Sequence, residues 1–222
     1  MEALPKRQAH SIKKPLRETG AAFSLQEAAL AFPTQVGTLS GMHRQLLLDQ
    51  LAAYQADHPA ETETVGRFIG FIRSQPECFE RTLAIGHITG SAWIVTPDGS
   101  EVLLTHHRKL DRWLQLGGHA DGDPDVIAVA LKEAQEESGL EEFELLGNGI
   151  FDLDIHPIPA RKAEPEHLHY DVRYVFRATG HTDFTVSEES HDLRWVPIHE
   201  VQTLTTEESM LRMVRKWQAS LA

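Results

Sequence analysis

The chain has 222 residues, 41% of them hydrophobic, and sets 21 Lys and Arg against 33 Asp and Glu for a formal net charge of −12. The length and apolar content suit one domain of roughly 150–180 residues plus an accessory segment, and the acidity argues against a protein that coats nucleic acid or is held on an anionic membrane by a basic patch. The single cysteine, Cys78, leaves no intramolecular disulfide and no Cys-rich zinc site; with no apolar run near ~18 residues and no apolar leader, the expected setting is soluble and cytoplasmic.

Residues 1–40 stand apart. Five basic residues (Lys6, Arg7, Lys13, Lys14, Arg17) against three acidic ones (Glu2, Glu18, Glu27) make them net +2, which leaves −14 for the remainder. Pro5, Pro15 and Pro33 interrupt any long helix, although residues 24–32 read as a short one with Ser24 as N-cap and Glu27 three positions on. Residues 1–41 are therefore expected to be a tail or arm. Helical spacing follows at 42–56 (Leu46, Leu47, Leu51, Tyr54) and at 61–74 (Val65, Phe68, Ile69, Ile72), so residues 42–80 read as a helical extension. Residues 87–96 and 101–106 read as two strands joined by the turn Pro97-Asp98-Gly99-Ser100. The strongest helix spans 125–138, with Val126, Val129, Ala130 and Ala134 as its apolar stripe and Gly139 as its stop.

Residues 143–154 read as strand. Residues 167–177 alternate cleanly, Leu168, Tyr170, Val172, Tyr174 and Phe176 facing one way and His167, His169, Asp171, Arg173 and Val175 the other. A short strand at 193–198 and a helix at 206–221 complete an α/β sandwich.

The chemistry concentrates between Gly117 and Leu140. Glu133, Glu136 and Glu137, at i, i+3 and i+4, stack three carboxylates on one helix face. Without a cation each like-charged i,i+4 pair costs about 0.2–0.5 kcal/mol. Closely spaced oxygen ligands suit Mg²⁺ or Mn²⁺, and the glycines before the helix would let a backbone carbonyl approach the ion. The plain alternative is a solvated acidic helix face. Three more carboxylates in the preceding loop (Asp121, Asp123, Asp125) favour the metal.

This segment resembles the Nudix box: Gly, five residues, Glu, seven residues, then Arg-Glu-apolar-any-Glu-Glu-any-Gly-apolar. Its second half matches as Lys132-Glu133-Ala134-Gln135-Glu136-Glu137-Ser138-Gly139-Leu140, with Gly118 at the required distance. Lys132 replaces the Arg and lacks its planar fork. Pro124 stands where the first Glu belongs, between Asp123 and Asp125, either of which could substitute. The resemblance implies a Nudix-type α/β/α sandwich with a mixed sheet, covering about residues 84–205 of a domain taken as 81–222.

It also implies a Mg²⁺- or Mn²⁺-dependent hydrolase that cleaves a diphosphate bond in a nucleoside diphosphate linked to another moiety, sugar-type or a nucleoside triphosphate. Glu133, Glu136, Glu137 and Gly118 would hold the metal. The general base would be Glu133 or a carboxylate shortly before a Trp-ending strand, where Glu188 and Glu189 precede Trp195 and Glu189 is preferred. A homodimer is a further expectation from the resemblance. The rivals are a silent nucleotide-sensing Nudix-fold module, with residues 1–40 as its interaction element, and an isoprenoid diphosphate isomerase, whose chemistry needs a Cys beside the metal.

Weaker signals surround the box. Arg108 and Lys109, with His106, His107 and Arg112, could meet substrate phosphates, or end a solvated strand. Trp113 could stack on a base or belong to the core. His119 is the histidine expected nearest the active site. His167 and His169, with Asp171 at i+4, could bind a metal, line a substrate pocket beside Arg161 and Arg173, or form an exposed strand face. Residues 155–166 read as an insert with room for a second substrate half.

Overall fold

A strand buried along its whole length organises the molecule. β1 (Gly86–Val95) is buried at every position, as a central strand covered on both faces should be. Ile88, Gly90, Ala92 and Ile94 point to one face, and His87, Thr89, Ser91, Trp93 and Val95 to the other. The computed structural model describes residues 43–161 and 164–221; the expected tail at 1–41 and the short helix at 24–32 lie outside them.

β1 runs antiparallel to β2 (Glu101–His107) and β4 (Leu116–His119), and parallel to β7 (His167–Ala178). β3 (Arg112–Leu114) and β8 (Ser190–Pro197) pair with β2, whereas β5 (Phe143–Leu146) and β6 (Asp152–Ile158) pair with β7, all antiparallel. The result is the expected mixed sheet, of eight strands. The β1–β2 turn is closed by Asp98, whose Oδ1 accepts from Thr96 Oγ1 at 2.7 Å and from the Ser100 amide at 3.1 Å.

The helices cover the two faces. α1 (Gln45–Asp57), α2 (Thr62–Ser74) and α3 (Val126–Ser138) share one apolar cluster with Ile88, Ala92 and Ile94 of β1. There Tyr170 stacks on Phe71 with ring centroids 3.9 Å apart. Leu46, assigned above to the apolar stripe, is exposed, while Leu47, Leu51 and Tyr54 are buried. Cys78 is fully buried in the same cluster, and burial pushes its thiol up to about 11. On the other face, α4 (Val201–Leu204) and α5 (Glu208–Ser220) join Trp93 and Val95 in a second cluster through Val201, Met210, Met213 and Trp217. None of the described helices is long and apolar enough to cross a membrane.

Two readings need correction. Residues 143–154 form two strands, interrupted where Gly147 and Gly149 take positive φ, a conformation that glycine adopts without strain. Residues 155–166 are no separate insert. Ile155–Ile158 end β6 and pair with β7, and a bridge between Arg161 and Glu164 continues the connection. The backbone groups of Arg161 and Glu164 bond to each other.

Candidate active site

α3 and β4 together build the site. Asp125 caps α3 by accepting the Ala128 amide at 3.1 Å, and Asp123 Oδ1 accepts the Asp125 amide at 2.9 Å. Both carboxylates beside Pro124 thus serve orphan N–H groups at the helix start and not the position of the missing Glu. Gly139 ends α3 in the left-handed region at φ 72°. Gly117 and Gly118, the glycines before the helix, lie in β4 opposite Ser91 and Gly90 of β1. Their lack of side chains is a steric requirement. A Cβ on Gly117 would lie 2.3 Å from Ser91 Oγ, and one on Gly118 would lie 2.5 Å from the Glu133 carboxyl carbon. The Glu133 carboxyl therefore rests directly on the Gly118 backbone. Gly118→Ala is expected to displace it and lower kcat by at least about tenfold, in line with the cost of small misplacements at a reacting centre. Gly66→Ala is the control in the same kinetic assay, because nothing lies within 4 Å of its added Cβ.

The three box carboxylates are not equivalent. Glu137 is 7% exposed, and its Oε2 has no hydrogen-bond partner. Burial first, then the charges of Glu133 and Glu189, push its carboxyl up to about 8 against the pull of the Gly117 amide. Glu133 is half-buried and is also raised, first by burial and then by Glu136, Glu189 and Asp121, with Lys132 opposing. Glu136 is exposed and pairs with Lys132 at 3.4 Å, and its charge acts on Glu133. An orphaned buried carboxylate oxygen beside other anions fits a hard divalent cation.

Glu189 is exposed and directly precedes β8. Its charge acts on both Glu133 and Glu137, so the fold brings this loop carboxylate to the α3 pair. Arg108 holds the loop: its amide donates to the Glu189 carbonyl and its Nη2 to the Ser190 carbonyl, each at 2.9 Å. Arg108, expected at substrate phosphates, is exposed and lies beside this loop. Lys109 is exposed, and its carbonyl accepts from Arg161 Nη2 at 3.1 Å. Trp113 is half-buried, stacked on His106 with Arg194 over its ring at 4.9 Å.

Arg173 requires the plainest correction. It is 2% exposed and donates to Asp171 at 2.7 Å and Asp152 at 3.0 Å, with Asp154 at 3.4 Å. Asp152 also takes Arg212 at 2.8 Å and Lys216 at 2.7 Å, while Asp171 takes Thr89, Ser91 and Gln115. Every donor of Arg173 is directed into the interior, so it does not meet substrate. Alternation put Arg173 on the right face of β7, but α5 covers that face with Arg212 and Lys216, and only the tertiary packing reveals it.

His119 is half-buried and lowered by burial and by Arg81. It sits in a group with His87, His167 and His169. His87 was overlooked in the sequence; the signal for it is its register opposite His169 across the parallel β1–β7 pair. Arg81, also overlooked, forms a two-bonded pair with Asp121.

A model of the NUDIX domain matches residues 87–217. Among curated proteins nothing matches the chain. Solved structures similar to part of it include a C. elegans Ap4A hydrolase binary complex (17% identity, 60% of this chain and 96% of that one, TM-score 0.49). Two others are the MutT protein from Methanosarcina mazei Go1 (17%, 62% and 96%, TM-score 0.46) and the NUDIX domain of Shewanella oneidensis NrtR complexed with ADP ribose (18%, 61% and 88%, TM-score 0.42).

Proposed function

The chain belongs to the NUDIX family, and from that premise we propose that it is a Mg²⁺- or Mn²⁺-dependent pyrophosphohydrolase acting on a nucleoside diphosphate linked to another moiety. Its class is that of hydrolases acting on phosphorus-containing acid anhydrides. The observation that carries the reading is Glu137, buried with an orphaned oxygen and facing two further carboxylates. Among the described residues no hydrogen bond explains that arrangement, and a divalent cation held by Glu133, Glu136, Glu137 and the Gly118 carbonyl would.

When bound, the metal supplies charge neutralisation for the diphosphate and a lowered pKa for the attacking water. The chain's own residues do the rest. The β4 glycines and α3 fix the ligand carboxylates on rigid elements. Glu189 takes the proton from the water that attacks phosphorus. It suits that role better than Glu133 because it is exposed to solvent, whereas the Glu133 carboxyl is packed against Gly118. The Arg108 hydrogen bonds keep the Glu189 loop against the β2 end.

A panel of nucleoside diphosphate derivatives and nucleoside triphosphates, with Mg²⁺ or Mn²⁺ and products identified by mass, tests the reading. Hydrolysis in ¹⁸O-water then marks the phosphorus attacked. No product from any member would overturn the proposal in favour of a nucleotide-sensing module. Glu189→Gln is expected to lower kcat by about 10²–10⁴-fold, the range for loss of a general base, with Glu188→Gln close to wild type. Equal effects of the two substitutions would reject Glu189 as the base.

A further inference from the structure

We propose that the protein carries a second metal site, formed by His87, His167 and His169, that takes a late first-row transition metal of the Zn²⁺ class. The site lies on the sheet face that carries Thr89, Ser91 and Trp93, away from the face on which α3 packs. Its ligands are distinct from those of the carboxylate site, and the proposal does not rest on the activity proposed above.

Register creates it. β1 and β7 run parallel with His87 opposite His169, and His167 lies two residues earlier on the same face of β7. The ligand nitrogens of the three rings all lie within 4.8 Å of one another. The ring centroids stand 4.8 Å apart for His87 and His169, 4.9 Å for His87 and His167, and 5.2 Å for His167 and His169. His119 closes one side, 4.9 Å from His87, and His156 the other, 5.5 Å from His169.

The hydrogen-bond accounting points to a missing partner. His87 is 2% exposed, and among the described residues neither of its ring nitrogens makes a well-aligned hydrogen bond, although the Leu83 backbone lies close enough to act on the ring; Nε2 of His169 is also buried and unpartnered among them. Each such atom is costly when nothing replaces its water, and buried polar atoms rarely go unmatched. One nitrogen of each of these two rings turns toward the other and toward His167. A proton does not solve the problem, because imidazolium ions packed this closely repel. Burial first, then the neighbouring histidines, lower His87 to about 4 and His169 to about 2. Both rings are therefore neutral near pH 7, the form that ligates metal.

The third ring is already oriented. His167 Nδ1 lies 2.9 Å from the Pro165 carbonyl, which can only accept, so Nδ1 carries the proton and Nε2 is left as donor to a metal. A carbonyl behind a ligating histidine is the usual outer support of such sites. Neutral imidazoles suit Zn²⁺, Ni²⁺ or Co²⁺ far better than Mg²⁺. Three nitrogens leave the fourth tetrahedral position to solvent or to His119. A metal here would tie β1 to β7 across the only parallel pairing of the described sheet.

Co²⁺ serves as the spectroscopic probe, titrated into the full chain carrying Glu133→Gln and Glu137→Gln so that the carboxylate site is silent. The expected result is about one Co²⁺ per chain, with the intense visible bands of four- or five-coordination, displaced by Zn²⁺. His167→Ala and His169→Ala, checked for folding by circular dichroism, are each expected to weaken binding by at least about 100-fold, beyond the 10–100-fold cost of losing an outer support. X-ray absorption of the Zn²⁺-loaded protein with native histidines gives a reading that no variant's folding can confound, and imidazole scatterers are expected. Absence of the visible bands, bands insensitive to the histidine substitutions, or a zinc shell of oxygen alone would each overturn the proposal. In all of these outcomes the carboxylate site stands or falls separately, because its residues are tested by hydrolysis.

Discussion

Glu137→Gln is expected to reduce hydrolysis by at least about 10²-fold, as loss of one preorganised charge at a reacting centre does, and at the same time to stabilise the metal-free protein at alkaline pH. The second effect follows from the site's own electrostatics. Burial and the Glu133 and Glu189 charges raise the Glu137 carboxyl from 4.5 to about 8 in the folded chain. Between those values the folded state keeps a proton that the unfolded state has released. The stability this group contributes is fully present below about pH 4.5 and is lost as pH rises through about 8. With about 1.4 kcal/mol for each pKa unit, the decline across that window is on the order of a few kcal/mol. Gln cannot ionise, so the variant escapes it while keeping an oxygen for the Gly117 amide. Urea unfolding in chelator at pH 6 and pH 9 should show a fall for wild type and little for Glu137→Gln. Saturating divalent metal should restore the wild type at pH 9 by binding the folded state alone, and should do much less for the variant. Identical pH slopes for the two proteins would contradict the placement of Glu137 at an uncompensated anionic centre.

That coupling also sharpens what the charge count means. Residues 121–142 hold eight acidic residues (Asp121, Asp123, Asp125, Glu133, Glu136, Glu137, Glu141, Glu142) against one basic, Lys132, which invites reading all of them as metal ligands. The fold divides their work. Asp123 and Asp125 serve the start of α3, and Asp121 is engaged by Arg81. Glu133 and Glu137 are the two whose carboxyls are raised by burial. Helical spacing was enough to place these two on one side of α3, whereas the expectation for the Glu189 loop came from the resemblance to the Nudix family and not from local pattern. Propensity could not show that Gly117 and Gly118 form a strand, because glycine packs no side chain against a sheet and reads as a breaker. What holds them is contact with Ser91 and Glu133, both distant in sequence. The histidine group was half legible for the same reason. His167 and His169 share a face by alternation, but His87 joins them only through the parallel β1–β7 register, which no local pattern encodes.

Arg173→Met is expected to cost about 3–5 kcal/mol of stability, the range for removing one partner from a buried ion pair, which makes it the largest structural effect of any substitution considered. Arg173, Arg212 and Lys216 face Asp152, Asp154, Asp171 and Glu61 in one network that joins α5 to β6, β7 and the α1–α2 connection. Tyr54 of α1 enters it by donating to Glu61 at 2.7 Å. Burial alone would push Asp152 up, but the Arg212 hydrogen bonds and the charges of Arg173, Arg212 and Lys216 outweigh it and hold the carboxyl below its ordinary value. Asp154 is held low in the same way, by His156, Arg173 and Arg212 against its own burial. Carboxylates lowered on folding contribute stability above their unfolded pKa and lose it as pH falls through the folded one, so the network favours the fold at neutral pH and gives way in acid. With Arg173 gone, Asp152 keeps Arg212 and Lys216, but Asp171 is left charged among Thr89, Ser91 and Gln115 with no cation. Asp171→Asn in the Arg173→Met background should therefore recover part of the loss, and the double-mutant cycle should give a coupling of at least about 1 kcal/mol, within the range for residues sharing one network. The urea midpoint should fall by about 1–5 M for Arg173→Met, given the usual slopes of ~1–3 kcal/mol per M, and rise again in the double variant. A substrate-binding arginine would behave in the opposite way, leaving the midpoint unchanged and raising KM, and that pattern would refute the buried role assigned to Arg173.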